Sequence, residues 1–108
     1  MRRVLSILLL LLPLFAGANP LSVADSVDRD SLVVVYQRGV EAFKNNDFAR
    51  ASSLFLEAAK GGHAAAQYEY GLCCYNGEGV ETDYEEAFAW FLKSAVQGNA
   101  DAQFSVGY

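Results

Sequence analysis

Two similar six-residue stretches, AQYEYG at 66–71 and AQFSVG at 102–107, lie 36 residues apart and indicate a repeated fold. The same interval relates further identical residues: Asp47/Asp83, Ala51/Ala87, Phe55/Phe91, Ala59/Ala95, Gly62/Gly98, Ala64/Ala100 and Gly71/Gly107. Self-similarity with a period of about 20–50 residues is typical of stacked repeat architectures. Because such arrays mostly bind other proteins, the sequence predicts a class of function rather than a particular partner.

The first 18 residues are predicted to be a signal peptide. Arg2 and Arg3 precede an apolar run, and Ala16-Gly17-Ala18 provides the small residues found before a cleavage point. The alternative is an uncleaved membrane anchor, but the apolar stretch is shorter than the roughly 20 residues that a spanning helix needs. We therefore expect a chain that is exported to a bacterial periplasm or secreted, with Asn19 as its new N-terminus.

The charge of the chain argues against nucleic acid as a partner. The formal net charge is −5, and removal of residues 1–18 would change it to −7, because two arginines and no acid are lost. An acidic surface repels phosphate backbones and has no basic patch for anionic lipids. The acids are dispersed along the chain, which is typical of solvated helix faces.

Helical periodicity predicts a flexible lead-in over 19–30 and then five helices. The first should run from near Ser31, capped by Asp30 or Ser31, to about Lys44, although Val33-Val34-Val35 resembles a strand locally. The second should begin after Asp47 and end at Gly61-Gly62. The remaining three are predicted at 64–75, 84–97 and 100–108.

The positions of three glycines predict particular backbone features. Gly71 lies in the middle of the third helix, where glycine costs about 1 kcal/mol relative to alanine, so we expect close approach of a neighbouring helix there. Gly77 and Gly79 are expected to adopt positive φ in the loop over 76–82, with Val80 packed back as an apolar plug. Asp83 followed by Glu86 predicts a capping box at the start of the fourth helix.

Residues 64–99 resemble the Sel1-like repeat, a relative of the tetratricopeptide repeat. The residues that fall in its pattern are Gly71, Tyr75, Gly77, Gly79, Val80, Asp83, Ala87, Trp90, Ala95 and Gly98. Residues 31–63 match less well and look more like a tetratricopeptide unit. They lack the Gly-x-Gly-Val loop and have four fewer residues between Gly39 and Asp47 than lie between Gly71 and Asp83. A third unit begins at about Ala100 and is cut short.

The resemblance implies an all-α fold, a right-handed superhelix (solenoid) of antiparallel helix pairs. It also implies an adaptor or scaffold that binds another protein or peptide along the groove formed by the first helix of each pair. Some exported cysteine-rich relatives suggest an alternative, an enzyme of the β-lactamase or penicillin-binding type. No recognisable nucleophile motif, phosphate loop or dinucleotide fingerprint is present, so we predict no enzyme activity and no cofactor.

Four residues of the first helices are the candidate partner contacts: Tyr36, Glu69, Tyr70 and Tyr75. Tyrosine is enriched in binding surfaces, but aromatic residues at helical spacing more often pack in the core. Glu69 and Tyr70 do not recur in the next unit, which favours contact for these two. Gly71, Gly77, Gly79, Asp83, Ala87, Trp90, Ala95 and Gly98 are expected to be structural.

We expect the two cysteines, His63 and residues 100–108 to have structural rather than catalytic roles. Cys73 and Cys74 are adjacent in a predicted helix and cannot bridge to each other without breaking it. We favour at least one buried free thiol over an intermolecular bridge or a bridge to a cysteine beyond the sequence. His63 aligns with Asn99, which favours a capping role over metal binding or catalysis. The apolar side of residues 100–108 suggests self-association through an uncapped C-terminal repeat.

Overall fold

A computed structural model describes residues 30–107, and this part of the chain contains helices and loops but no strand. Helix α1 covers residues 30–44. It is followed by α2 (Phe48–Lys60), α3 (Ala64–Asn76), α4 (Tyr84–Val96) and α5 (Ala100–Ser105). Each of α2, α3 and α4 packs against the helix that follows it. The predicted all-α helical repeat is therefore confirmed.

The signal peptide predicted at 1–18 and all of the lead-in except residue 30 lie outside the described residues. Residue 30 is already helical, so Asp30 and Ser31 are part of α1 and do not cap it as expected. The Val33-Val34-Val35 run is also helical. No helix within the described range is both long and apolar enough to cross a membrane.

A polar side chain caps each of α2 to α5: Asp47, His63, Asp83 and Asn99. Asp47 Oδ1 accepts a hydrogen bond from the Arg50 amide at 3.3 Å, and Asp83 Oδ1 accepts from the Glu86 amide at 3.0 Å. Each such bond satisfies an amide that the helix leaves free at its first turn. The capping box at Asp83 is only half formed. The Glu86 carboxylate accepts from Trp90 Nε1 at 2.9 Å, while the Asp83 amide donates to the Cys74 carbonyl.

The two helix pairs contain the same packing unit of a glycine, an aromatic ring and a phenylalanine. A β-carbon at Gly71 would lie 2.6 Å from the Phe91 ring, and one at Gly39 would lie 2.7 Å from the Phe55 ring. Tyr68 and Phe91 have ring centroids 5.5 Å apart, and the corresponding distance from Tyr36 to Phe55 is 5.8 Å. The predicted close approach at Gly71 is confirmed, and the same contact occurs in the first pair.

The Gly-x-Gly-Val loop packs against the first helix pair. Gly77 and Gly79 have φ of 73° and 80°, as predicted, and Val80 packs against the core. A β-carbon at Gly79 would collide with the Phe48 carbonyl oxygen and lie 2.5 Å from Ser52 Oγ. Because the loop backbone touches α2 directly, it joins the second pair to the first.

Helix α5 is shorter than predicted. It ends at Ser105, where the prediction extended it to 108, and the Val106 amide donates to the carbonyls of Ala102 and Phe104. Gly107 then takes a φ of 80°, a value outside the range of a right-handed helix. Tyr108 lies outside the described residues.

Candidate functional site

Side chains from the three first helices act on one another electrostatically. Tyr36 lies on α1, Glu69 on α3 and Asp101 on α5. The Glu69 carboxylate acts electrostatically on Tyr36 and is itself acted on by Asp101. Three consecutive first helices therefore contribute neighbouring polar groups, and we call this set (Tyr36, Glu69 and Asp101) the first-helix face.

Glu69 is half-buried in an unfavourable environment for its charge. Burial raises the pKa of its carboxyl above the ordinary value, and the negative charges of Asp101 and Glu78 raise it further. Among residues 30–107, no basic side chain contributes to this shift. The first-helix face thus presents a partly desolvated carboxylate beside other acids.

Tyr36 is partly buried and anchored on one side. Its ring stacks on His63 with centroids 4.7 Å apart, in addition to the contact with Phe55. Burial, followed by the nearby Glu69 carboxylate, raises the pKa of its hydroxyl. The ring is held in place by these contacts, so little side-chain entropy would be lost when a partner packs against it.

The structure corrects the expectation for Tyr70. This side chain is only 8% exposed, and its ring meets the Trp90 ring edge-on at 5.8 Å. Burial raises the pKa of its hydroxyl to about 12, with smaller contributions from the Cys74 side chain and Glu86. Tyr70 belongs to the core between α3 and α4, and its position does not favour contact with a partner.

Tyr75, the fourth candidate contact, lies on the exposed side of α3. It is 52% exposed and lies beside Tyr84, with ring centroids 5.0 Å apart. Tyr75 also lines a shallow pocket of about 260 Å³ with Leu72, Phe91, Phe104 and Ser105. That volume is below the range of about 300–1,000 Å³ typical of small-molecule sites. Tyr75 is accessible to a partner, but it lies outside the first-helix face as defined here.

The residues expected to be structural occupy core or terminal positions. Ala87, Trp90 and Ala95 on α4 are all buried. Gly77 is the C-cap of α3 in the left-handed conformation, and Gly98 follows α4 with a φ of 101°. Lys93 Nζ lies 4.5 Å from the centre of the Trp90 ring, which covers the indole from the solvent side.

Both cysteines are buried free thiols, which confirms the favoured interpretation for at least one of them. Cys73 is 1% exposed and Cys74 is 2% exposed. Burial raises the pKa of Cys73 to about 12, with further contributions from Glu78, Glu69 and Cys74. Burial is also the main cause of the raised pKa of Cys74. Since the thiolate is the reactive form, neither side chain is activated as a nucleophile.

His63 caps α3, as its alignment with Asn99 predicts. Its Nδ1 accepts from the Ala66 amide at 3.1 Å, and Asn99 Oδ1 accepts from the Ala102 amide at 2.9 Å. Burial lowers the pKa of His63, which favours the neutral ring that this hydrogen bond requires. Within residues 30–107, no three His, Cys, Asp or Glu side chains are grouped so that they could hold a metal ion.

Sequence reasoning did not include Asp101 or Glu78 among the candidate contacts. The 36-residue interval could have suggested Asp101, because it corresponds to Ala65 in the preceding unit and is therefore a departure from the repeat. Glu78 occupies the variable position between Gly77 and Gly79, and its effect on Glu69 depends on how the loop folds. Repeat spacing does not give that information.

Comparison with known proteins agrees with the repeated geometry. The family model described as Sel1 repeat matches residues 34–63 and, separately, residues 64–99. Chitin synthase regulatory factor 3 of Schizosaccharomyces pombe is 31% identical over 71 residues, which are 66% of this chain. The match spans only 8% of that protein's length. Sel1 repeats typically form protein-interaction modules without enzymatic activity. With two matched repeats that cover more than half of its length, the chain belongs to the Sel1 repeat family.

Proposed function

We propose that this chain is an exported adaptor that binds another protein or peptide along the first-helix face. The observation that carries the proposal is the half-buried Glu69 carboxylate, which acts electrostatically on Tyr36 and is acted on by Asp101 and Glu78, while no basic side chain among residues 30–107 contributes to its pKa shift. A partly desolvated carboxylate beside other acids is unfavourable in the free protein, and a cationic or hydrogen-bond-donating group of a partner would stabilise it.

Export is the second part of the proposal and is supported by the sequence of residues 1–18. Intact-mass measurement of the chain recovered from its natural compartment tests it. A chain beginning at Asn19 supports export with cleavage after Ala18, whereas a chain beginning at Met1 in the cytoplasm contradicts it.

Partner binding can be tested by affinity purification from that compartment with three versions of the chain. These are the natural sequence, Glu69→Lys, and Glu57→Lys as a control. Glu57 is an exposed glutamate on α2 and is not part of the first-helix face. The charge change is the same in both variants, and circular dichroism at 222 nm checks that each is folded.

We expect at least one protein to be recovered with the natural chain and with Glu57→Lys, and to be reduced at least tenfold with Glu69→Lys. Recovery that does not differ between the two variants would contradict binding at this face. Absence of any specific protein would contradict the adaptor function as a whole.

The sequence also predicts self-association through residues 100–108, and this remains a prediction. Phe104 on α5 is 89% exposed, so its ring is available for a contact of that kind.

A further inference from the structure

His63 caps α3, and its ring also contacts a residue of the first-helix face. The imidazole stacks on the Tyr36 ring with centroids 4.7 Å apart and an angle of 28° between the ring planes. Phe55 also contacts Tyr36, at 5.8 Å and an angle of 40°. Of these two contacts, the one with His63 is the shorter and the more nearly parallel. The side chain that caps α3 therefore also supports Tyr36.

The backbone of His63 is fixed independently of its side chain. Its amide donates to the Ala58 carbonyl at 3.2 Å, and its carbonyl accepts from the Gln67 amide at 2.9 Å. The ring is held by a further hydrogen bond, in which Nδ1 accepts from the Ala66 amide. Because Nδ1 accepts, the neutral ring carries its proton on Nε2. The orientation of the ring on Tyr36 thus depends on a hydrogen bond that only the neutral form can make.

Protonation of His63 removes this hydrogen bond. An imidazolium is a donor at both nitrogens, so its Nδ1 would face the Ala66 amide with one donor against another. Its positive charge would also lie at the N-terminus of α3, where the helix dipole disfavours cations. Both effects drive the ring away from Ala66 and out of its stacked position, while the backbone hydrogen bonds stay in place.

The groups around His63 do not stabilise the stacked imidazolium enough to prevent this. Tyr36 of α1 contacts the ring and would attract a cation, and Glu69 of α3 acts on Tyr36. From α4, the uncharged Gln97 donates to the neighbouring Gly62 carbonyl at 2.9 Å. Burial nevertheless lowers the pKa of His63, and no charged side chain among residues 30–107 contributes to that shift. The folded chain therefore disfavours the charged ring.

The next unit has the same kind of cap without a titrating ring. Asn99 Oδ1 accepts from the Ala102 amide at the start of α5. Tyr68 on α3 takes the place of Tyr36 on α1, three residues before the glycine of its own unit. His63 is the one histidine of the sequence. Tyr68 is therefore an internal control for the effect of pH on Tyr36.

We propose that His63 is a positioning residue for Tyr36, and that its protonation releases the Tyr36 ring and weakens partner binding at the first-helix face. The effect on binding rests on the adaptor function proposed above. The loss of the ring contact does not, so the two can fail separately.

Nuclear magnetic resonance of the full chain tests the ring contact without a partner. A nuclear Overhauser effect between the His63 and Tyr36 rings should be present at pH 7.5. It should disappear on acidification with the same midpoint as the titration of the His63 Hε1 signal, while the effect between Tyr68 and Phe91 persists. A His63–Tyr36 effect that survives full protonation of His63 would overturn the proposal. Loss of both effects at the same pH would also overturn it, because it would mean unfolding in place of a local release.

Two substitutions then separate positioning from capping. His63→Phe keeps a ring for Tyr36 but loses the cap, and His63→Asn keeps the cap but loses the ring. At pH 7.5, recovery of the partner by affinity purification should stay near the natural level with His63→Phe. With His63→Asn it should fall about fivefold, as expected for the loss of one aromatic contact. The opposite order would mean that His63 acts only as a cap and would overturn the proposal.

Acidification past the His63 pKa completes the test. The natural chain should lose several times more of its bound partner than His63→Phe does, because phenylalanine does not titrate. Protonation of Glu69 affects both chains alike, so the difference between them reports on His63. Equal losses from the two chains would overturn the pH dependence. If no protein is recovered with the natural chain, the adaptor function fails, and the resonance experiment still decides whether His63 positions Tyr36.

Discussion

Phe91 occupies the space that a side chain at residue 71 would need: a β-carbon on Gly71 would lie 2.6 Å from its ring. Gly39 and Phe55 have the same relationship, so the helices of the two pairs pack closely against each other in the same way. An aromatic ring three residues before each glycine, Tyr36 or Tyr68, completes the unit. Removing the glycine should therefore disturb both the helix contact and the ring beside it.

Gly71→Ala is expected to destabilise the chain by about 1–2 kcal/mol. Overpacking of a core costs about 1–3 kcal/mol, and the better helix propensity of alanine offsets up to about 1 kcal/mol of this. Urea denaturation followed at 222 nm measures the change. Ser53→Ala, at an exposed helix position, should stay within about 0.5 kcal/mol of the natural chain. A Gly71→Ala variant as stable as Ser53→Ala would show that Phe91 does not limit the space at residue 71.

His63 should make the stability of the chain depend on pH below about 6.5. Its pKa is lowered in the folded state, so between the folded and unfolded pKa values the unfolded chain binds more protons. The contribution of the His63 cap to the stability of the fold is fully present above the unfolded-state pKa of about 6.5. It is lost as the pH falls through the folded-state pKa.

Two substitutions separate the cap from the titration of His63. His63→Ala should cost about 1 kcal/mol at pH 8, because the Ala66 amide loses its acceptor. His63→Asn should keep the cap, as Asn99 does in the next unit, and should lose less stability than the natural chain between pH 7 and pH 5. Denaturation midpoints at these pH values measure both effects. Parallel pH profiles for the natural chain and His63→Asn would contradict the assigned role.

Glu69→Gln is expected to stabilise the chain at pH 7. The raised pKa means that the folded chain binds the proton more tightly than the unfolded chain, so stability decreases as the pH rises above the ordinary carboxyl value. Glutamine has nearly the same shape as glutamate but no charge, so the substitution removes the cost of keeping a charged carboxylate half-buried at residue 69. The melting temperature at pH 7 should therefore increase, and the difference from the natural chain should shrink at pH 4. A lower melting temperature at pH 7 would mean that Glu69 is compensated by contacts other than those described.

The cysteines should resist alkylation in the folded chain. With both thiols buried and the pKa of Cys73 raised to about 12, iodoacetamide at pH 8 should modify them at least a hundredfold more slowly than in urea. Mass spectrometry over time gives the rates, and the added cysteine of Ser53→Cys provides an exposed reference in the same molecule. Rapid labelling of Cys73 or Cys74 under native conditions would contradict their burial.

The parts of the fold that depend on local chemistry could be predicted from the sequence. The caps at Asp47, His63 and Asp83 and the close approach at Gly71 each follow from one residue type at one helix position. The direction of Tyr70 and Tyr75 could not be predicted in this way. Both are tyrosines at helical spacing on α3, and which of them meets Trp90 depends on the rotation of α3 against α4.

The candidate site was predicted only in part for a similar reason. Tyr36 could be identified as a tyrosine on a first helix and Glu69 as a residue that does not recur, but the electrostatic link between them and Asp101 depends on how the pairs stack.

Site-specific photo-crosslinking determines whether the first helices of the stacked pairs form the binding face. A photoreactive phenylalanine analogue replaces Asp101 on α5 in one variant and Glu57 on α2 in another, and each is irradiated in the natural compartment. We expect a covalent adduct with a partner protein from position 101 and none from position 57. An adduct from position 57 alone, or from neither position, would contradict it.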